Sequence, residues 1–354
     1  MARQWILTGQ EGWEKSLEFQ ENVAIPSPET LGLNEVLVRL KAASINYREL
    51  MIPTPTNPAG PINPPLVPSC DGAGTVEAIG PSVTEFRVGD RVLAHLCAPA
   101  AEARGDDAPM GFADAQNCLG QGSDGTLRTH GVFREKGLVR APASLDFITA
   151  ATMTCTWTTA WNALFGLRGQ EVGPGSWVLV QGTGGVSVAA LQIAVAAGAS
   201  VVATTSSEEK AMKLRALGAK HVVNYRTNKA WGEEARGFTP GGRGFDSVIE
   251  VTGNEGLRQS FASVRIDGII TLVGMVGDSG TEAVPLLESF FHGAIVRPIL
   301  ASSRTQFQEV VRFVDEKQIV PAIDDVVFEL AQVKDAYRRL EEKQHFSKIA
   351  IRID

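Results

Sequence analysis

No two of the four cysteines, Cys70, Cys97, Cys118 and Cys155, stand in C-x-x-C spacing. A chain of this length can bury enough core to fold without cross-links, so neither a disulfide framework nor export is indicated. Excess positive charge is missing as well. The 33 Lys and Arg are outnumbered by 40 Asp and Glu, for a formal net charge of -7, which leaves no basic footprint for nucleic acid. Long apolar runs are scarce too. The longest, Val186 to Thr205, is broken by Gln192 and Gly198 and bounded by turn signals. A bilayer-crossing helix wants about 20 predominantly apolar residues, so this stretch reads as a buried helix followed by a buried strand. Met1 to Gln10 hold no apolar segment of signal-peptide length. These absences predict a soluble, cytoplasmic protein that acts on a small molecule, with neither nucleic acid nor membrane as a partner.

What is present is organised in two parts, as 354 residues would suggest. Before about Ala150 the chain alternates short β-like runs with Gly and Pro: Val36–Leu40, Gly74–Ile79 and Arg91–His95, with a Val88-Gly89-Asp90 turn between the last two. Short strands with frequent turns predict a twisted or barrel-like β domain. From about Gly175 apolar strands alternate with helical stretches: Trp177–Gln181, Ser200–Thr204, His221–Val223, Asp246–Val251 and Gly268–Gly274. Near-continuous apolar strands joined by helices predict a doubly wound parallel sheet covered on both faces. An amphipathic helix through Phe307, Val310, Val311 and Val314 then leads back to β-like sequence at Lys348–Ile353. The expected division is 1–155 with 302–354 as one domain and 156–301 as the other. Cys97 to Gly125, rich in Ala, Asp and Gly with no apolar period, reads as a long functional or mobile loop.

Between the first strand and first helix of the second part lies Gly182-Thr183-Gly184-Gly185-Val186-Ser187. A G-x-G-x-x-G-like turn is a weak signal alone and a strong one in this strand–turn–helix setting. Gly182 permits the tight turn, Gly184 lets the backbone approach a pyrophosphate, and the helix start offers unpaired N–H groups. Ser187 stands where the third glycine would be. The end of the next strand sorts the cofactor. An Asp or Glu there binds the ribose 2′-OH of NAD, whereas this chain has Thr205, Ser206 and Ser207 with Lys210 close behind. Hydroxyls and an ammonium suit a 2′-phosphate, so NADP(H) is the expected cofactor. The plainer reading is that Ser206 or Ser207 caps the following helix.

Taken together these stretches resemble the medium-chain dehydrogenase/reductase superfamily, the zinc alcohol dehydrogenase and quinone oxidoreductase group. The residues that carry the resemblance are Ala43–Arg48, Pro68–Val76, Val88–Val92, Thr158–Trp161, the glycine turn, Leu217-Gly218-Ala219, Val223–Arg226 and Phe346–Ile349. The resemblance implies an α/β protein with a GroES-like β-rich catalytic domain and a Rossmann cofactor domain. It implies that Thr159 faces the nicotinamide, that Val251, Val273, Gly274 and Met275 lie near its ribose and carboxamide, and that Tyr225, Lys210 and Lys348 also belong to the cofactor-binding set.

Zinc-dependent members carry Cys, then His-Glu, then Cys at three points. Here those points hold Asn46, Cys70-Asp71 and Cys155, and Arg48 replaces the proton-relay hydroxyl. An amide is a poor zinc ligand, and buried Cys70 and Cys155 read equally as small hydrophobes, so no metal is expected. A structural zinc would need four closely spaced cysteines, where Cys97–Gly125 has two. Without zinc, hydride transfer to an enone, enal or quinone needs only a hydrogen bond to the developing oxyanion. Asn46, Tyr47 and His95 are the candidate catalytic groups; each has a plain alternative, as a turn cap, a solvent-facing phenol and a core histidine. Trp157, Trp161 and Phe165 either line an apolar pocket or fill core. An alcohol dehydrogenase or ketone reductase, with or without an atypical zinc site, and an NADPH-binding protein without turnover remain open. The run Gly293–Pro298 reads as a sheet edge through which a homodimer would form.

Overall fold

The computed structural model describes residues 1–274 and 282–353. By its internal contacts the chain falls into two units, Met1–Thr158 with Ser302–Asp354, and Thr159–Ala301.

In the first unit the long strand Glu35–Ile45 is central. Its sheet runs Ile323–Glu329, Lys348–Arg352, Glu35–Ile45, Asp71–Ile79, Arg91–Ala94, Leu138–Arg140, with His130–Arg134 also paired to Glu35–Ile45. Ala2–Leu7 and Leu17–Val23 form a separate antiparallel pair. Register places Ser44 opposite both Asp71 and Ala350, so the C-terminal strand and the Cys70-Asp71 segment flank the same end of the central strand. Alternation does the rest: Val36, Val38 and Leu40 point into a core shared with Val76, Val92, Ile349 and Ile351.

Cys97–Gly125 is less irregular than its sequence suggests. Ala98–Arg104 is a short α-helix and Phe112–Asn117 a 3-10 helix. Proline in the first turn and four alanines favour the helix; with no core-facing stripe it leaves no apolar period to read.

The second unit is a six-stranded, all-parallel sheet ordered His221–Asn224, Ser200–Thr205, Trp177–Val180, Phe245–Glu250, Val264–Leu272, Ile295–Pro298. Numbered in chain order this is 3-2-1-4-5-6, the doubly wound arrangement. The strand order reverses between Trp177–Val180 and Phe245–Glu250, and ligands of such sheets bind beyond the strand ends at that point. The helix Gly185–Ala196 is apolar on all sides and buried from Ser187 to Ala194, as expected of a helix enclosed by the fold. No helix among the described residues is long and apolar enough to cross a membrane.

Candidate active site and cofactor site

Gly182 adopts φ +73°, a left-handed conformation that favours glycine. Its N–H donates to Thr204 Oγ1 at 3.1 Å, which pins the turn to the neighbouring strand. Gly184 is the N-cap of the helix Gly185–Ala196. A Cβ at either glycine would meet nothing within 4 Å, so the turn borders open space, and unpaired helix N–H groups start there. That is a fitting cradle for a pyrophosphate. Ser187, at the third motif position, is buried and donates to Gln181 O at 2.6 Å, which explains how the close helix–strand contact tolerates a hydroxyl.

Thr205 ends the second strand, and its hydroxyl accepts from Ser207 N at 3.4 Å. Ser207 is the N-cap of the helix Glu208–Ala216 and accepts from Lys210 N at 3.4 Å, so the capping role falls to Ser207. Tyr225 follows the third strand, is over a third exposed, and its backbone N–H donates to Thr205 O at 3.1 Å. Thr205 and Tyr225 are thereby joined at one sheet end. At the switch point, Val251 follows the strand Phe245–Glu250, and Val273 N donates to Glu250 O at 2.9 Å. A Cβ on Gly274 would sit 3.1 Å from Val251 O, so Val251, Val273 and Gly274 also converge. Met275 lies outside the described residues. Thr159 is buried on the helix Met153–Phe165, one turn after Cys155. Trp157 on that helix is core, whereas Trp161 and Phe165 are half-buried and pair with ring centroids 4.4 Å apart.

In the first unit a polar cluster is built around Asp71, which is fully buried. One carboxylate oxygen accepts from Ser44 Oγ at 2.7 Å and faces Lys348 Nζ at 2.9 Å. The other accepts from Cys155 N at 2.9 Å and from the Cys70 thiol at 3.5 Å. The bond to Cys155 N caps the first turn of the helix Met153–Phe165. Lys348 Nζ also donates to Ile45 O at 2.7 Å and to Asn46 Oδ1. Lys348, expected in the cofactor set, is placed in this cluster, where three acceptors use its three donors.

Fixing Asn46 Oδ1 on the ammonium turns its Nδ2 toward Cys70 Sγ, 3.8 Å away. The Asn46 side chain makes no cap bond, although its backbone N–H donates to Glu49 Oε2 at 2.6 Å. Arg48 lies 3.6 Å from Glu49 and donates to Leu119 O at 2.8 Å. Burial pushes the Glu49 carboxyl up against the pull of that guanidinium. The Cys155 thiol and burial hold Cys70 well above the ordinary thiol range, so it stays a neutral S–H.

Two candidates stay outside this cluster's hydrogen bonds. Tyr47 is more than a third exposed at the start of its helix. His95 is buried with its ring centroid 6.2 Å from that of Phe307. Burial, with the Arg304 charge nearby, lowers its imidazole to about 3, so it is neutral near pH 7 and reads as a core histidine. Sequence reasoning missed the roles of Ser44 and Glu49: Ser44 has its partner Asp71 27 residues on, whereas the Asn46-x-x-Glu49 spacing is a local capping signal that could have marked Glu49.

The donor set does not suit a zinc ion. Asp71 spends both oxygens, an ammonium stands 2.9 Å from it, and Asn46 occupies the first-ligand point. Among the described residues no group of three His, Cys, Asp or Glu could hold a metal.

Residues 32–143 match the alcohol dehydrogenase GroES-like domain and residues 185–316 the zinc-binding dehydrogenase family. A zinc-type alcohol dehydrogenase-like protein of Schizosaccharomyces pombe is 40% identical over 92% of this chain and 93% of its own length. A crotonyl-CoA carboxylase/reductase of Cereibacter sphaeroides is 28% identical over 96% of this chain and 85% of its own. The crystal structure of an NAD-dependent alcohol dehydrogenase superposes with a TM-score of 0.87 at 32% identity, covering 99% of this chain and 100% of that one. The fold and these matches define an oxidoreductase that uses a nicotinamide dinucleotide. The chain belongs to the medium-chain dehydrogenase/reductase superfamily.

Proposed function

We propose that this protein is an NADPH-dependent reductase that transfers hydride, without zinc, to the activated double bond of a small enone, enal or quinone. The observation that carries the reading is the Asp71–Lys348–Asn46 chain, in which an ammonium occupies the acidic cluster and aims an amide N–H donor. When bound, the nicotinamide supplies the hydride. The glycine turn holds the pyrophosphate by backbone N–H groups, while Thr205, Ser206, Ser207, Lys210 and Tyr225 hold the 2′-phosphate, with no carboxylate at the strand end to repel it.

Asn46 Nδ2 has only a long contact to a thiol, a weak acceptor, so it can turn to a substrate carbonyl oxygen. Its bond strengthens as that oxygen gains charge during hydride addition to a conjugated carbon. Lys348 keeps the amide from flipping and adds a positive field behind it. The relationship to a crotonyl-CoA carboxylase/reductase is consistent with alkene reduction. The names of the other relatives favour a second reading, alcohol or ketone redox chemistry.

A homodimer is part of the proposal. Ile295–Pro298 is an edge strand, and beside it in sequence Leu286, Leu287, Phe290 and Phe291 are each at least 66% exposed, an apolar patch that asks for cover.

The test is titration of the purified protein with NADPH and NADH, then turnover on a panel of enones, enals, quinones, ketones and alcohols alongside elemental analysis. Tighter NADPH binding and NADPH oxidation by an enone or quinone in metal-free protein is the expected result. Stoichiometric zinc, removed by chelation together with alcohol dehydrogenase activity, would overturn the metal-free reading; binding with no turnover would leave a nucleotide-binding protein.

A further inference from the structure

The excursion 97–118 is closed at its neck by a backbone hydrogen bond, Leu119 N to Leu96 O at 3.0 Å. The residues just inside that bond are Cys97, which starts the helix Ala98–Arg104, and Cys118, which follows the 3-10 helix Phe112–Asn117. Both sulfurs lie against a single carbonyl, Asp114 O, at 3.8 Å and 3.4 Å respectively, which brings the two thiols to one point of the neck. Neither takes part in the Asp71 cluster.

We propose that Cys97 and Cys118 form a redox-active dithiol, which a small hydroperoxide converts to a disulfide that locks the neck of this excursion. The Cys97 thiolate attacks the terminal peroxide oxygen and becomes a sulfenic acid as the O–O bond breaks, releasing an alkoxide (hydroxide from hydrogen peroxide) that is protonated to the alcohol or water. The Cys118 sulfur then displaces the hydroxyl from the sulfenic sulfur, forming the S–S bond, and its proton leaves with that hydroxyl as water. Two thiols are oxidised by one peroxide, and no other reactant is needed.

The chemistry of the two sulfurs suits these roles. The neighbouring Cys118 thiol pulls Cys97 down to about 7 against the effect of burial, helped by the Ala100 N–H; Asp114 and Arg104 are the charged groups beside it, opposite in effect. Cys118 is pushed up in turn and stays a thiol until it resolves the intermediate. Cys97 and Cys118 are 1% and 3% exposed, so the reagent must be as small as a hydroperoxide. The neck also reaches the polar cluster's surroundings, since Leu119 O accepts the Arg48 guanidinium.

The test exposes full-length protein to hydrogen peroxide across a pH series, quenches in acid, alkylates the remaining thiols under denaturing conditions, and maps the peptides by mass spectrometry. A dithiothreitol-reversible Cys97–Cys118 cross-link is expected, with its rate half-maximal near pH 7 and about tenfold faster at that pH than any oxidation at Cys70 or Cys155. In Cys118→Ser, dimedone added together with denaturant after the peroxide pulse should trap a sulfenic acid at Cys97. Cross-linking of Cys70 to Cys155 instead, over-oxidation of Cys97 without a cross-link, or no reaction overturns the proposal. The readout is independent of cofactor and substrate, so it stands apart from the test of the proposed activity.

Discussion

The Lys348 ammonium sits 2.9 Å from the Asp71 carboxylate with both side chains buried, 3% and 0% exposed. Removing one partner of such a pair strands a charge away from water, at a cost of about 3–5 kcal/mol. Lys348→Met should lower stability by that order in urea titrations, and the double variant Lys348→Met/Asp71→Asn should be the more stable of the two. Equal stability of Lys348→Met and the parent would refute the pairing.

Gly184 has φ -77°, open to any residue, while a Cβ there points into empty space. Gly184→Ala should therefore fold normally yet weaken dinucleotide binding about tenfold or more, because the methyl enters the pyrophosphate position. Gly182→Ala should in addition lose about 1 kcal/mol of stability from its left-handed φ. Calorimetric binding beside thermal melts separates the two effects.

His95 has a folded value near 3 against an ordinary value of 6.5. The unfolded chain thus takes up a proton that the folded one refuses. His95 contributes full stability above about pH 6.5, and this is lost at about 1.4 kcal/mol per pH unit as pH falls toward 3. Denaturant titrations at pH 7 and pH 4.5 should show a smaller acid-induced loss in His95→Gln than in the parent. An identical pH dependence would show that His95 is not held neutral.

A carboxylate at the end of the second strand should reverse the cofactor preference. Ser206→Asp is expected to weaken NADPH about tenfold or more through repulsion of the 2′-phosphate, with NADH unchanged or improved. Fluorescence titration with both dinucleotides checks it; equal weakening of both would mean that Ser206 does not face the adenosine ribose.

The exposed Phe290 and Phe291 side chains lead to a test of assembly. Phe290→Asp/Phe291→Asp should convert a dimer to a monomer in light scattering after size exclusion, since burying two carboxylates in an apolar interface is costly. A parent that is already monomeric would end the homodimer proposal.

Sequence alone determined the features that depend on local periodicity. Apolar runs such as Trp177–Val180 and Phe245–Glu250 announced strands buried on both faces, and the glycine turn between the first strand and its helix announced a dinucleotide cradle, because each follows from backbone sterics and burial within a few residues. The resemblance read from the sequence implied that Asn46, Cys70-Asp71 and Cys155 stand where zinc-dependent members carry ligands. Only the tertiary structure decided what those residues do. Register brought Ser44, Asp71 and Ala350 side by side, so that Lys348 arrives from 302 residues away to bind Asn46. It joined Lys348 to Asp71 and Asn46, put His95 in the core beside Phe307, and set Cys97 and Cys118 against the Asp114 carbonyl. Charge pairing and desolvation act through space, so the state of a buried carboxylate, ammonium or thiol is fixed by neighbours that chain order does not reveal.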